Sequence, residues 1–185
     1  MHTGLEIDSV LKSFGERTIL ADVYLKCCQG DIIALFGRNG TGKSTLLNII
    51  FGTLKADRSF IRIDGKVMNG PAFRSRLLAY LPQHPSLPSH LKVSQIADLC
   101  IAPEDRKRFL ADKILFRIRT SRICEISTGE QRYLEIKTTL FSPAPYILLD
   151  EPFSGVSPVV AEQIRELMSE SAREHGIILT DHNFR

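Results

Sequence analysis

Hydrophobic and polar positions change their period several times along the chain. Leu5–Val10 alternates as a half-buried strand does, and Val23–Lys26 alternates again as its partner. Between them Lys12–Arg17 reads as a polar turn carrying one aromatic, Phe14. Gly30-Asp31 is a turn, and Ile32–Phe36 is short and wholly apolar, like a strand buried in a parallel sheet. Glycines at 37, 40 and 42 follow, and then Lys43–Phe51 takes a helical pattern. Ser59–Asp64 alternates and stops at Gly65; Leu78–Leu81 is apolar and stops at Pro82. Gly129–Phe141 and Val159–Glu174 are helical, with Pro158 suited to a first turn. Tyr146–Leu149 and Gly176–Thr180 are two further buried strands. From Pro82 to about Ile123 the texture differs: prolines at 82, 85, 88 and 103 separate short charged helices, as in an inserted helical lobe. Strands alternating with helices predict an α/β fold, mainly a parallel sheet covered on both faces.

Length and composition narrow this picture. A chain of 185 residues, 43% hydrophobic, is one domain with an insert, not a disordered segment. Lys plus Arg is 24 against 21 for Asp plus Glu, a net +3 too small to argue for nucleic acid as a partner. No apolar run is long enough to span a membrane, and the N-terminus lacks a secretory pattern, so a cytoplasmic protein is expected. Cys27, Cys28, Cys100 and Cys124 have no zinc-type spacing and are expected to be reduced thiols.

The candidate chemistry is concentrated in two places. Gly37-Arg38-Asn39-Gly40-Thr41-Gly42-Lys43-Ser44 fits G-x-x-x-x-G-K-[ST], between a buried strand and a helix. Triphosphate oxygens need many close N–H donors, which a glycine-rich bend and a helix N-terminus supply. Lys43 then reaches the outer phosphates and Ser44 offers its hydroxyl to Mg²⁺. The second place is Tyr146-Ile147-Leu148-Leu149-Asp150-Glu151-Pro152, an apolar strand delivering two carboxylates at its end. In a parallel sheet ligands gather at that end, so Asp150 can meet the same Mg²⁺ and Glu151 can polarise an attacking water.

Further segments fall in a telling order: Leu81-Pro82-Gln83, Ile126-Ser127-Thr128-Gly129-Glu130-Gln131-Arg132, Phe153-Ser154-Gly155-Val156-Ser157-Pro158 and Thr180-Asp181-His182. With the two motifs above, the chain resembles the ATP-binding-cassette (ABC) ATPases over nearly its whole length. The resemblance implies a P-loop NTPase with an N-terminal antiparallel β part and a catalytic core of residues 1–82 and 126–185. Residues 83–125 would be the helical lobe, with the signature motif at its end. It implies that Gln83 senses Mg²⁺ and the γ-phosphate, and that His182 contacts that phosphate. It further implies that Phe14 stacks on adenine, and that Asn39, Thr41 and Thr45 line the phosphates. Ser127 and Gly129 would bind the γ-phosphate of ATP held by a second copy, in a head-to-tail dimer. The implied function is ATP hydrolysis powering transport through a separate membrane subunit, from the cytoplasmic face. Residues 150–156 and 179–183 look like the lipopolysaccharide-export and branched-chain amino-acid import group.

Three departures from the family pattern bear on turnover. Thr128 replaces a glycine of the signature, crowding the phosphate or altering the helix cap. Ser157 replaces an acidic residue before Pro158. The sequence ends at Arg185, three residues after His182, so the C-terminal part of the usual fold is expected to be missing, the last strand to lack a neighbour and His182 to be poorly held. Alternatives remain: a soluble ABC-type ATPase outside transport, a P-loop kinase, or a nucleotide-binding module with little turnover.

Overall fold

The computed structural model describes residues 3–182. Met1, His2, and the segment 183–185, including Asn183 of the quoted terminal motif, lie outside them. Two sheets organise the chain. The first is antiparallel, built from β1 (Leu5–Phe14), β2 (Arg17–Cys27), β4 (Arg58–Ile63) and β5 (Lys66–Val67) in the order β2-β1-β4-β5. The second is parallel, built from β3 (Ile32–Phe36), β6 (Leu78–Leu81), β7 (Tyr146–Leu149) and β8 (Gly176–Asp181) in the order β3-β8-β7-β6. The α/β class is as the sequence pattern predicts, and the N-terminal antiparallel part is as the resemblance implies.

Three expectations are corrected. Lys12, Ser13 and Phe14 are not a turn: they continue β1, opposite Leu20, Thr18 and Arg17, and the chain reverses at Gly15-Glu16. Asp57 holds this polar stretch in the sheet, accepting from Ser13 N at 2.6 Å and pairing with Lys12 at 3.3 Å. Register shifts along β1, with Ser9 at φ 52°, break the alternation that would have revealed the strand's length. The second correction concerns β8. It does not lack a neighbour; it lies inside the sheet, Ile177 pairing with Ile32 on one side and Ile147 on the other. The third concerns β3, read from its apolar run as buried: it is an edge strand, and its end residues Ile32 and Phe36 are exposed.

Among the described residues six α-helices complete the fold: α1 (Lys43–Phe51), α2 (Val93–Cys100), α3 (Arg106–Phe109), α4 (Lys113–Ile118), α5 (Thr128–Leu140) and α6 (Pro158–Ser171). Alternation along the central strands divides the apolar side chains between two cores. Leu148 and Ile178 pack with α1 and the antiparallel sheet. Ile147, Leu149, Ile177 and Leu179 pack with α5 and α6, and the same cluster runs on into Val93, Ile96, Phe109 and Leu115 of the inserted lobe. The lobe therefore shares a core with the sheet, and a displacement of it is felt at the strand ends.

All four cysteines are free thiols: Cys27 is buried, Cys28 partly so, Cys100 and Cys124 exposed. Burial first, then the neighbouring Asp31 and Cys28, push the Cys27 thiol up to about 12. Cys27 packs where β2 leads toward β8, beside Gly176. A Cβ on Gly176 would lie 2.6 Å from Cys28 O and 2.9 Å from both Cys27 Sγ and Tyr146 Cδ1. Gly176→Ala is expected to lower stability by about 1–3 kcal/mol, read as the shift in urea midpoint. An unchanged midpoint would mean that the two sheets separate here at no cost.

Candidate functional site

The loop 37–42 leaves β3 at the carboxyl end of the parallel sheet and enters α1. Its path requires glycine at 42: φ is 98°, and a Cβ there would stand 2.6 Å from Ile19 Cγ2 and 2.9 Å from Leu20 Cδ2. Behind the loop, Arg38 O accepts from Thr41 Oγ1 at 2.9 Å and from Lys43 Nζ at 3.2 Å. Gly37 O accepts from Lys43 Nζ at 2.6 Å. No side chain caps the start of α1, so its first-turn amides are left as donors for an anion.

In front of the loop is a cleft of about 360 Å³. It is lined by Asn39, Gly40, Gly42, Lys43, Ser44 and Thr45 of the loop and the first turn of α1, together with Phe14, Ile19, Gln83 and Glu151. Most of the candidate residues therefore meet in one place. Gly37, Arg38 and Thr41 do not line the cleft; they shape the loop from behind. Phe14 is 52% exposed, with Lys12 Nζ 5.1 Å from its ring centroid.

Asp150 is buried beside the cleft at the end of β7. Its Oδ1 accepts from Ser44 Oγ at 2.9 Å and from Thr180 Oγ1 at 2.7 Å; its Oδ2 accepts from Tyr80 OH at 3.3 Å. Burial first, then the Asp150 carboxylate, push the Tyr80 phenol well above its ordinary range, so it stays protonated.

Glu151 turns away from the strand in a left-handed conformation, φ 48°. Its N–H donates to Thr180 Oγ1 at 2.9 Å and its C=O accepts from Arg132 Nη2 at 3.1 Å, which together fix that bend. Its carboxylate accepts from Gln83 Nε2 at 3.0 Å and lies 4.0 Å from His182 Nδ1. His182 also lies 3.7 Å from Asp181 Oδ1. Arg132, on α5, is buried and donates as well to Asp150 O at 2.6 Å and Pro82 O at 2.8 Å. Burial lowers its pKa, opposed by Glu135 at 3.5 Å and by Asp150 and Glu151.

Ser127 and Gly129 are not brought to this cleft; they lie at the start of α5, just after the segment 83–125. Ser127 caps the helix and forms a reciprocal box with Glu130, so Thr128 leaves the cap geometry unaltered. Burial would raise the Glu130 pKa, but the Ser127 amide and hydroxyl and Arg117 at 2.5 Å outweigh it and lower it. Ser157 is the N-cap of α6, its Oγ accepting from Val160 N at 3.4 Å, with Pro158 at the first position as expected.

The donor set suits a small hard cation. Ser44 and Asp150 present adjacent oxygens, as few as Mg²⁺ takes from a protein when phosphates and water supply the rest. Among the described residues no group of three or more His, Cys, Asp or Glu makes a metal site of its own, and no helix is long and apolar enough to cross a membrane.

Four residues at this site carry no role in the sequence reading: Thr180, Tyr80, Arg132, and Asn48, whose amide donates to Tyr80 OH at 3.3 Å. A threonine closing the apolar run Ile177–Leu179 was a readable signal, because a polar group buried in such a strand needs partners. The other three act through tertiary contacts that no local pattern encodes.

The chain is similar to known proteins over most of its length. The family model described as "ABC transporter" matches residues 20–154. A probable ABC transporter ATP-binding protein of Azorhizobium caulinodans is 37% identical over 94% of this chain, which spans 66% of that relative's length. The lipopolysaccharide export system ATP-binding protein LptB of Escherichia coli is 33% identical over 98% of this chain and 81% of its own. A solved ATP-binding subunit of an ABC transporter superposes with a TM-score of 0.84 at 28% identity, over 97% of this chain and 80% of that one.

Thr180→Val removes one hydroxyl that serves both Asp150 and Glu151 while keeping shape. It is expected to cost about 1–3 kcal/mol in urea denaturation, because Glu151 N–H loses its partner. A variant as stable as wild type would show that water replaces the hydroxyl.

Proposed function

The chain belongs to the ABC transporter family as an ATP-binding subunit, and on that premise we propose that it binds ATP with Mg²⁺ in the cleft before α1, hydrolyses it, and so powers transport. The reading rests on one observation. Two segments 106 residues apart meet through Ser44 and Asp150 at 2.9 Å, beside a cleft that also carries Lys43, Gln83 and Glu151.

In this reading the loop amides and the first turn of α1 hold the phosphates. The Lys43 ammonium, donating to Gly37 O and Arg38 O, has a third N–H for a terminal phosphate oxygen. Ser44 and Asp150 are the protein's ligands for Mg²⁺, with Gln83 alongside. Mg²⁺, when bound, offsets the charge of the phosphate oxygens. Glu151 orients the attacking water and accepts its proton, its own carboxylate held by Gln83. Lys43 and His182 stabilise charge on the departing phosphoryl group. Phe14 packs against the adenine from the cleft's rim.

A second copy completes each site, bringing Ser127 and Gly129 to the γ-phosphate from the start of its α5, where the positive end of the helix favours an anion. Because the lobe shares its core with the strands that carry Asp150, closure of the dimer moves the lobe, and through it a membrane-spanning subunit. This places the chain on the cytoplasmic face of a membrane, held there by its partner.

Glu151→Gln is expected to retain ATP affinity, to lower phosphate release about a hundredfold or more, and to accumulate an ATP-dependent dimer by size-exclusion chromatography. Lys43→Ala is expected to weaken ATP binding. Wild-type protein with no affinity for ATP in the presence of Mg²⁺ would overturn the proposal.

A further inference from the structure

Beside the cleft, four residues close a ring of hydrogen bonds, the last of them through the backbone carbonyl of Ser44. Ser44 Oγ donates to Asp150 Oδ1 at 2.9 Å, and Tyr80 OH donates to Asp150 Oδ2 at 3.3 Å. Asn48 Nδ2 donates both to the Tyr80 oxygen at 3.3 Å and to the Ser44 carbonyl at 2.8 Å. The orientation of the Asn48 amide is fixed by the Ser44 carbonyl, which can only accept and so faces the nitrogen, while Oδ1 accepts from Thr53 Oγ1 at 2.7 Å. From this ring we propose that Tyr80 and Asn48 are positioning residues for the metal, holding Ser44 and Asp150 in the arrangement that receives Mg²⁺; the inference rests on the nucleotide and Mg²⁺ reading above.

The directions of the bonds carry the argument. A phenol has one proton. With Asn48 donating to its oxygen, that proton points at Asp150 rather than away from it. Asp150 then has both oxygens fixed, Oδ1 by Ser44 and Thr180 and Oδ2 by Tyr80, so its carboxylate plane does not rotate. Ser44 gives its proton to Asp150, which leaves the lone pairs of its oxygen for a cation. Asn48 lies one helical turn after Ser44 and grips the carbonyl of that residue, so one amide references both metal ligands. The ring of Tyr80 is itself held in place. It sits on β6 beside Leu148 of β7, and the Phe51 ring packs 5.2 Å away, tilted by 40°.

Tyr80→Phe deletes one oxygen and leaves the ring and its packing. Affinity for the non-hydrolysable analogue AMP-PNP is measured by calorimetry with excess Mg²⁺ and again in EDTA. Tyr80→Phe is expected to lose roughly tenfold or more in the affinity measured with Mg²⁺ and to stay within about twofold of wild type in EDTA. Asn48→Ala is expected to shift in the same direction. Tyr146→Phe, which deletes a phenol bonded to Asp64 at 2.7 Å outside the ring, serves as the control and is expected to leave both affinities unchanged. Mn²⁺ in place of Mg²⁺, followed by electron paramagnetic resonance with AMP-PNP present, is expected to rank the variants identically. Equal losses with metal and in EDTA, or no loss, would overturn the inference and leave Tyr80 a packing residue. Wild-type protein that binds AMP-PNP equally with and without Mg²⁺ would instead overturn the Mg²⁺ reading beneath it.

Discussion

The carboxylate of Asp150 ties together three stretches of chain that are remote in sequence. It stands at the end of β7 and takes hydroxyl hydrogen bonds from Ser44 on α1, Tyr80 on β6 and Thr180 on β8. A buried carboxylate without such donors would be costly to keep, so the site forms only when those elements are in register. The parallel pairing supplies that register: Tyr80 lies opposite Leu148, and Leu149 opposite Leu179, which brings each hydroxyl to the strand ends together. Packing and chemistry are therefore one requirement here. The apolar residues of β6, β7 and β8 align the strands, and the alignment delivers the polar groups just beyond them.

The lobe is joined to this centre by more than shared hydrophobic contact. Arg132 rises from α5 and donates to the carbonyls of Pro82, Asp150 and Glu151, the residues flanking the cleft on two sides. Glu135, one turn further, accepts from Ser86 N. A buried guanidinium is stable only with its hydrogen bonds filled, and those available are backbone oxygens at the turns that set Gln83 and Glu151. A rotation of α5 is thus transmitted to both turns at once. The left-handed backbone of Glu151 is over-determined by the same contacts, which is how a non-glycine residue is kept in that region.

Much of this was legible before any coordinates. The glycine-rich loop and the acidic pair after an apolar strand each carry their chemistry in residue type and spacing. Gln83 and His182 follow from resemblance, and the structure places both within reach of Glu151. What was hidden has physical reasons. The full length of β1 was masked because bulges shift its alternation and because Asp57 satisfies polar residues that otherwise read as a turn. The place of β8 is hidden because position in the sequence does not set position in a sheet: the last strand of the chain has both its neighbours, β3 and β7, from earlier segments. Tyr80 and Asn48 stayed unmarked because one sits in an apolar strand and the other inside a helix, and only the assembled sheet sets them against Ser44 and Asp150.

The interior position of β8 constrains how the molecule is made. Ile32 waits for Ile177 and Ile147 waits for the same strand, so neither earlier strand can complete its ladder from residues already synthesised. Translation must carry Gly176–Asp181 clear of the ribosome before the sheet zips. Until then the apolar strand Ile32–Phe36 and the phosphate loop behind it lack their scaffold. A nascent chain halted short of that point holds every residue of the loop and none of its geometry, which makes this interval the one most exposed to aggregation and to chaperone capture.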